Sequence, residues 1–146
     1  MGNDGGLRAP INAGPITLAE IFELMPFENR IAVIELSGHQ VDSLAQQIAR
    51  SNGEPVAGIS LGLAGTPPVA VTVRVAGASI DPDRRYRVAV SDYLANGGGY
   101  WPQLWTPLDR EDLDLLIRDA IEAYIRDRGT VVPRLDGRIR IEGGNR

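Results

Sequence analysis

The sequence has no cysteine and only a single histidine among its 146 residues. Without cysteine, disulfide bonds and thiolate metal ligands are excluded. A two-metal hydrolase centre needs clustered His, Asp, Asn and Glu ligands, and a catalytic serine needs a neighbouring base. His39 fits neither role, because it falls in the first turn of a predicted surface helix and has no partner motif. We therefore predict no catalytic residue and no metal site within this chain.

Long apolar runs and an excess of positive charge are also lacking. The formal net charge is -4, from 15 basic and 19 acidic residues in segments of mixed sign. A protein that binds a nucleic acid duplex needs a basic surface to neutralise the phosphates, and this sequence offers none. No apolar run approaches the roughly 20 residues of a membrane-spanning helix. The composition therefore predicts neither a nucleic acid duplex nor a membrane as partner, whereas a small anion held by one or two arginines is compatible with it.

The spacing of apolar residues predicts an α+β fold, with a mixed β-sheet of about five or six short strands and three helices. Helices are expected after the caps Thr17 and Ser37 and over residues 111–128. Strands are expected over residues 31–36, 58–63, 69–75, 86–90 and 138–141. The strand at 69–75 should carry its valines on one face and form a hairpin with the strand at 86–90. A chain of 146 residues fits one domain.

Three segments combine glycine with charged or aromatic residues. Residues 3–8 read Asn-Asp-Gly-Gly-Leu-Arg, in which the glycines let backbone amides approach an anion and Arg8 supplies a planar donor. Phe27 lies in a turn within Pro-Phe-Glu-Asn, and Tyr93 lies where a strand enters a glycine-rich loop. Two aromatic rings on separate loops can sandwich a base, each stacking face contributing about 1–3 kcal/mol. Spacing alone leaves open plain turns and a core-capping phenylalanine as alternatives.

Taken in order, these segments resemble the C-terminal domain of the 5'-nucleotidase family. The resemblance rests on residues 3–8, 14–17, 26–29, 80–82 together with 86–89, 92–98 and 136–139. Among them, Asn-x-Gly-Gly-Leu-Arg, Pro-Phe-Glu-Asn and Asp-Tyr-Leu-Ala-Asn-Gly-Gly carry most of the likeness. Nearly the whole chain is covered.

The resemblance implies a set of substrate-binding residues. Arg8 would contact the phosphate of a nucleotide, Phe27 and Tyr93 would clamp its base, and Asn29 would hydrogen-bond the base. Gly58 would lie on a glycine-bearing loop beside it. The complete set is Asn3, Gly5, Gly6, Arg8, Phe27, Asn29, Gly58 and Tyr93.

Two positions depart from the family pattern. The loop Gly97-Gly98-Gly99-Tyr100 lacks the aspartate that in the family holds the ribose hydroxyls. Glu28 occupies a position where glycine is usual, which adds negative charge near a site for an anion.

The resemblance also implies a domain organisation and a function. Residues 1–146 would form a single domain, most of a 5'-nucleotidase C-terminal (substrate-specificity) domain, with the metallophosphoesterase domain and its two divalent metals outside this chain. The chain alone would hold no cofactor and be inactive, and would bind a nucleotide or nucleoside for hydrolysis to nucleoside and phosphate. Family members are mostly periplasmic or extracellular. Two alternatives remain: a non-catalytic binding or assembly module that kept the fold, or a domain of a phosphoesterase acting on another ester.

Overall fold

Two β-sheets and five α-helices make up the fold in the computed structural model, which describes residues 1–51 and 53–142. The strands are β1 (Arg30–Ser37), β2 (Ile59–Ala64), β3 (Val69–Val75), β4 (Ala78–Ser79), β5 (Arg85–Ser91), β6 (Asp109–Leu116) and β7 (Ile139–Ile141). The helices are α1 (Leu18–Leu24), α2 (Gly38–Arg50), α3 (Asp92–Ala95), α4 (Pro102–Trp105) and α5 (Ile117–Arg128), and a short 3-10 helix spans Asp4–Gly6.

The strands divide into a three-stranded and a four-stranded sheet. The first has the order β5-β1-β6 and is antiparallel, and the second has the order β4-β3-β2-β7, with β7 parallel to β2. The α+β class is therefore confirmed. The prediction of one sheet and three helices is wrong, because α3 and α4 are single turns too short to show a helical period, and strand pairing across long separations leaves no local pattern.

The core centres on β1 and α2 and extends into both sheets. Ala32, Ile34 and Leu36 of β1 are fully buried, and α2 contributes a buried stripe of apolar residues, Val41, Leu44, Ala45 and Ile48. Ser37 caps the start of α2 as predicted. Its hydroxyl accepts from the backbone N–H of Gln40 at 3.3 Å, and the side-chain oxygen of Gln40 accepts from the backbone N–H of Ser37 at 2.9 Å. This reciprocal cap stabilises the start of the helix that contacts both sheets.

The strand β3 contains a bulge that redirects its valines. Gly62 pairs with Thr72 and Leu63 with Ala70, so Val71 is an extra residue in the ladder. Ala70 is buried, whereas Val71 is 53% exposed. The prediction that all four valines share one face is wrong for this reason.

A side chain of α2 meets β3 at this bulge. The Gln46 amide nitrogen donates to the Ala70 carbonyl at 2.8 Å, and the Gln46 amide oxygen accepts from the Ala70 N–H at 3.0 Å. Both backbone groups of a buried residue are thereby satisfied by one helix side chain instead of by a strand.

The predicted hairpin between β3 and β5 does not form. A two-residue turn at Ala76 and Gly77, both with positive φ, folds β4 directly back onto β3. The β5 strand pairs instead with β1 in the other sheet.

The helix predicted over residues 111–128 is only half helix. Residues 109–116 pair with β1 as β6, and α5 begins at Ile117. The central strand β1 gains its second partner in this way, and tertiary pairing overrides the helical spacing of Leu113 and Leu116. Within the described residues, no helix is both long and apolar enough to cross a membrane.

Candidate functional site

Seven of the eight predicted binding residues line one cavity of about 300 Å³: Asn3, Gly5, Gly6, Arg8, Phe27, Asn29 and Tyr93. They come from three segments that are far apart in the sequence. The lining combines two aromatic rings, two side-chain amides, the backbone of a glycine pair and one guanidinium. Such a surface offers stacking, hydrogen bonding and a positive charge to one small ligand.

The glycine pair belongs to the 3-10 helix that forms one wall of the cavity. The Gly6 N–H donates to the Asn3 carbonyl at 3.0 Å. A Cβ atom on Gly6 would lie 3.2 Å from Oδ1 of Asn3, so glycine lets the Asn3 side chain lie close against the loop. The Asp4 N–H donates to a carboxylate oxygen of Glu54 at 2.8 Å, which anchors the segment to the rest of the fold.

Arg8 is attached to the end of α1. Its backbone N–H donates to the Leu24 carbonyl at 2.8 Å, and its Nη1 lies 3.4 Å from the Gly5 carbonyl. The side chain remains exposed at the cavity. A guanidinium in this state can form a bidentate contact with an anionic group of a ligand.

The loop after α1 presents Phe27 and Asn29, and α5 fixes it from behind. The Ile117 N–H donates to the Asn29 carbonyl at 3.0 Å. Arg118 Nη1 donates to the Phe27 carbonyl at 3.3 Å, while its Nη2 lies 3.5 Å from a carboxylate oxygen of Glu28. Phe27 is 42% exposed, which excludes a core-capping role for this ring.

The contact with Arg118 also accounts for the unusual Glu28. Its carboxylate pairs with the Arg118 guanidinium, which compensates the added negative charge.

Tyr93 lies in the first turn of α3, directly after β5. The Ser91 hydroxyl accepts from the Leu94 N–H at 3.1 Å and so begins this turn. The Gly98 N–H donates to the Tyr93 carbonyl at 2.7 Å, and a Cβ atom on Gly98 would lie 2.4 Å from the Tyr93 ring. The glycine backbone therefore packs closely against the ring, which is 48% exposed.

Gly58 lies outside this cavity. It lines a separate cavity of about 270 Å³ together with residues of α2 and β5. Its φ of 74° explains the glycine, because the turn before β2 requires a left-handed backbone there. Its carbonyl accepts from the Ala76 N–H at 2.9 Å, which ties this turn to the end of β3.

Arg118 and Gly98 are the contributors that the sequence did not single out. Arg118 lies within the segment predicted as a helix, and nothing local indicates a partner 91 residues away. Gly98 was recognised only as part of a glycine-rich loop. The single histidine, His39, is exposed in the first turn of α2. Over residues 1–51 and 53–142, no group of three or more His, Cys, Asp or Glu side chains is placed to hold a metal ion.

Residues 1–106 match the family model described as 5'-nucleotidase, C-terminal domain. The chain belongs to this family. This 5'-nucleotidase C-terminal domain is similar to the trifunctional nucleotide phosphoesterase protein YfkN of Bacillus subtilis. The two are 31% identical over 94% of this chain and 10% of that protein. A 5'-nucleotidase of Vibrio parahaemolyticus is 30% identical over 71% of this chain and 19% of its own length.

A solved structure extends the likeness of this 5'-nucleotidase C-terminal domain past residue 106. The 5'-nucleotidase precursor of Thermus thermophilus superposes with a TM-score of 0.88 at 26% identity, covering 99% of this chain and 31% of that one. The chain thus spans between 10% and 31% of the length of these relatives. The family resemblance identified in the sequence is confirmed.

Proposed function

We propose that this domain binds the base and the phosphate of a nucleotide, which a metallophosphoesterase domain of a longer protein hydrolyses to nucleoside and phosphate. The observation that carries the proposal is the cavity in which Phe27, Tyr93, Asn29 and Arg8 meet, although they come from segments far apart in the chain. Similarity to proteins named as nucleotide phosphoesterases and 5'-nucleotidases supports the same ligand class.

Each part of a nucleotide has a matching group in the cavity. Phe27 and Tyr93 stack on the two faces of the base, since both rings are exposed and line the same space. Asn29 has an amide that can donate to and accept from the edge of the base. Arg8 holds the phosphate through charge-assisted hydrogen bonds, and the backbone of Gly5 and Gly6 allows close approach.

Chemistry is then divided between two domains. The other domain supplies divalent metal ions that activate a water molecule, while this one orients the nucleotide for attack. Closure of one domain on the other brings the two halves together. We expect a periplasmic or extracellular protein, as the family resemblance implies.

The affinity of this domain alone should be low. Two stacking faces contribute about 1–3 kcal/mol each, and the Arg8 contact contributes about 1.5–3 kcal/mol. Immobilising the ligand costs at least about 4 kcal/mol. At most about 5 kcal/mol of binding free energy therefore remains, so the dissociation constant should be about 0.2 mM or weaker.

Titration with 5'-AMP, followed by amide chemical shifts, tests the proposal. We expect shifts centred on Phe27, Asn29 and Tyr93, and in Phe27→Ala a dissociation constant raised by at least about fivefold, because one stacking face is lost. Tyr124→Ala is the matched control, since Tyr124 is an exposed aromatic on α5 and does not line the cavity. Titration with adenosine separates the contribution of the base from that of the phosphate. Arg8→Ala should lower the affinity for 5'-AMP and leave the affinity for adenosine unchanged. Shifts elsewhere, or equal affinity in Phe27→Ala, would contradict the proposal.

A further inference from the structure

One arginine outside the cavity contacts the loop that presents Phe27 at two points and the helix before it at a third. Arg118, in the first turn of α5, reaches the Phe27 carbonyl at 3.3 Å and the Glu28 carboxylate at 3.5 Å. Its guanidinium carbon lies 4.5 Å from the ring centre of Phe22 on α1. The side chain is only 11% exposed, which is unusual for an arginine on a helix with a solvated face.

These three contacts use different properties of the guanidinium. Its planar surface stacks on an aromatic ring, one edge donates to a carbonyl, and its charge pairs with a carboxylate. No other side chain type supplies all three at once from a fixed position. Because the guanidinium is largely desolvated, its hydrogen bond to the Phe27 carbonyl is stronger than it would be on an open surface. The Glu28 carboxylate is 84% exposed, so the ion pair contributes less.

The loop has only a short span between its attachments. α1 ends at Leu24, and β1 begins at Arg30. Between them, α5 holds the Phe27 carbonyl through Arg118 and the Asn29 carbonyl through the Ile117 N–H. Two consecutive residues of α5 therefore hold the backbone from the Phe27 carbonyl to the Asn29 carbonyl.

We propose that Arg118 is a positioning residue that holds the loop of Phe27 and Asn29 in the conformation that receives the base. The proposal rests on the proposed function, because it concerns the same cavity. Arg118 itself does not line that cavity. It lies beyond residue 106, where the match to the family model ends.

Loss of these contacts should lower affinity through the population of the competent loop. If the loop adopts this conformation only a fifth of the time, the apparent dissociation constant rises about fivefold, even though the cavity residues are unchanged. Binding contacts at Tyr93, which Arg118 does not touch, should persist in the bound state.

The experiment compares Arg118→Met with Arg128→Met in the 146-residue chain, using 5'-AMP and amide chemical shifts. Arg128 is a matched control, because it lies on the same helix and its guanidinium stacks on an aromatic ring, Tyr124, at 5.2 Å. Arg118→Met should weaken 5'-AMP binding about three- to tenfold, and Arg128→Met should not. The free Arg118→Met chain should show faster amide motion at Phe27 and Asn29 but not at Tyr93.

Arg118→Lys keeps the charge and one donor and should restore part of the affinity, and it provides a test if Arg118→Met fails to fold. Two outcomes would overturn the positioning role. One is that wild type, Arg118→Lys and Arg118→Met all bind 5'-AMP with the same affinity. The other is that Arg118→Met and Arg128→Met lose the same amount of affinity. If the wild type shows no binding at Phe27 and Tyr93, the proposed function itself fails. If wild type binds and Phe27→Ala does not, while Arg118→Met binds normally, only the positioning role fails.

Discussion

The position of the Tyr93 ring depends on the absence of a side chain at Gly98. Any side chain at Gly98 would meet the ring at 2.4 Å, well inside van der Waals contact. We predict that Gly98→Ala displaces the ring and raises the dissociation constant for 5'-AMP by at least about fivefold, as loss of a stacking face would. Calorimetry or chemical-shift titration can measure the change.

Gly2→Ala is the appropriate control for Gly98→Ala. A Cβ atom at Gly2 would lie 3.7 Å from Pro55, which is ordinary contact, so affinity should not change. Full affinity in Gly98→Ala would mean that the Tyr93 ring is not part of the base site.

Among single residues, the sequence indicated those that line the cavity better than those that support them. Exposed aromatics and an arginine beside glycines stand out, because such residues are costly in turns unless they bind something. Arg118 could not be found in this way, since its role comes from a contact across 91 residues. Gly58 was included through the family pattern, but its φ of 74° serves a turn away from the cavity.

Among the elements, α2 and β3 are joined by a polar contact whose loss should be costly. Removing the Gln46 amide would leave the N–H and C=O of Ala70 without their partner in a largely buried position. We predict that Gln46→Ala lowers the free energy of unfolding by about 1–3 kcal/mol. Urea denaturation followed by circular dichroism measures this quantity.

Gln46→Glu gives a graded comparison, because a carboxylate keeps an acceptor for the Ala70 N–H but loses the donor to the Ala70 carbonyl. Its effect should shrink as the pH falls, because a protonated carboxyl both donates and accepts, whereas the ionised form places an oxygen against the Ala70 carbonyl. A stability of Gln46→Ala equal to wild type would show that water satisfies the Ala70 backbone.

Element type was predictable where local chemistry decides it, and not where distant pairing does. The caps at Thr17 and Ser37 start α1 and α2, since both make the reciprocal hydrogen bonds that their sequences allow. The segment 109–116 has helical spacing but becomes a strand, because β1 has a second edge to pair. The pattern of residues 109–116 alone does not reveal that a distant strand will pair with them.

For the molecule as a whole, we predict that these 146 residues release no phosphate from 5'-AMP, with either Mn²⁺ or Zn²⁺ present. The sequence has one histidine, His39, which is exposed on α2 and lies apart from the cavity lining. A malachite-green phosphate assay on rigorously purified protein checks the prediction. Phosphate release that persists through purification and disappears in His39→Ala would place catalytic groups within this chain.

The Gln46 contact also bears on the behaviour of this protein at high concentration. β4 pairs with β3 only at Arg74 and Val75, so it does not reach the bulge. A strand edge with free N–H and C=O groups beside exposed valines is a template for pairing with another chain. Gln46 forms hydrogen bonds with both backbone groups of this edge at Ala70, between the exposed Val69 and Val71. We therefore expect one helix side chain to disfavour edge-to-edge pairing of the domain with another chain.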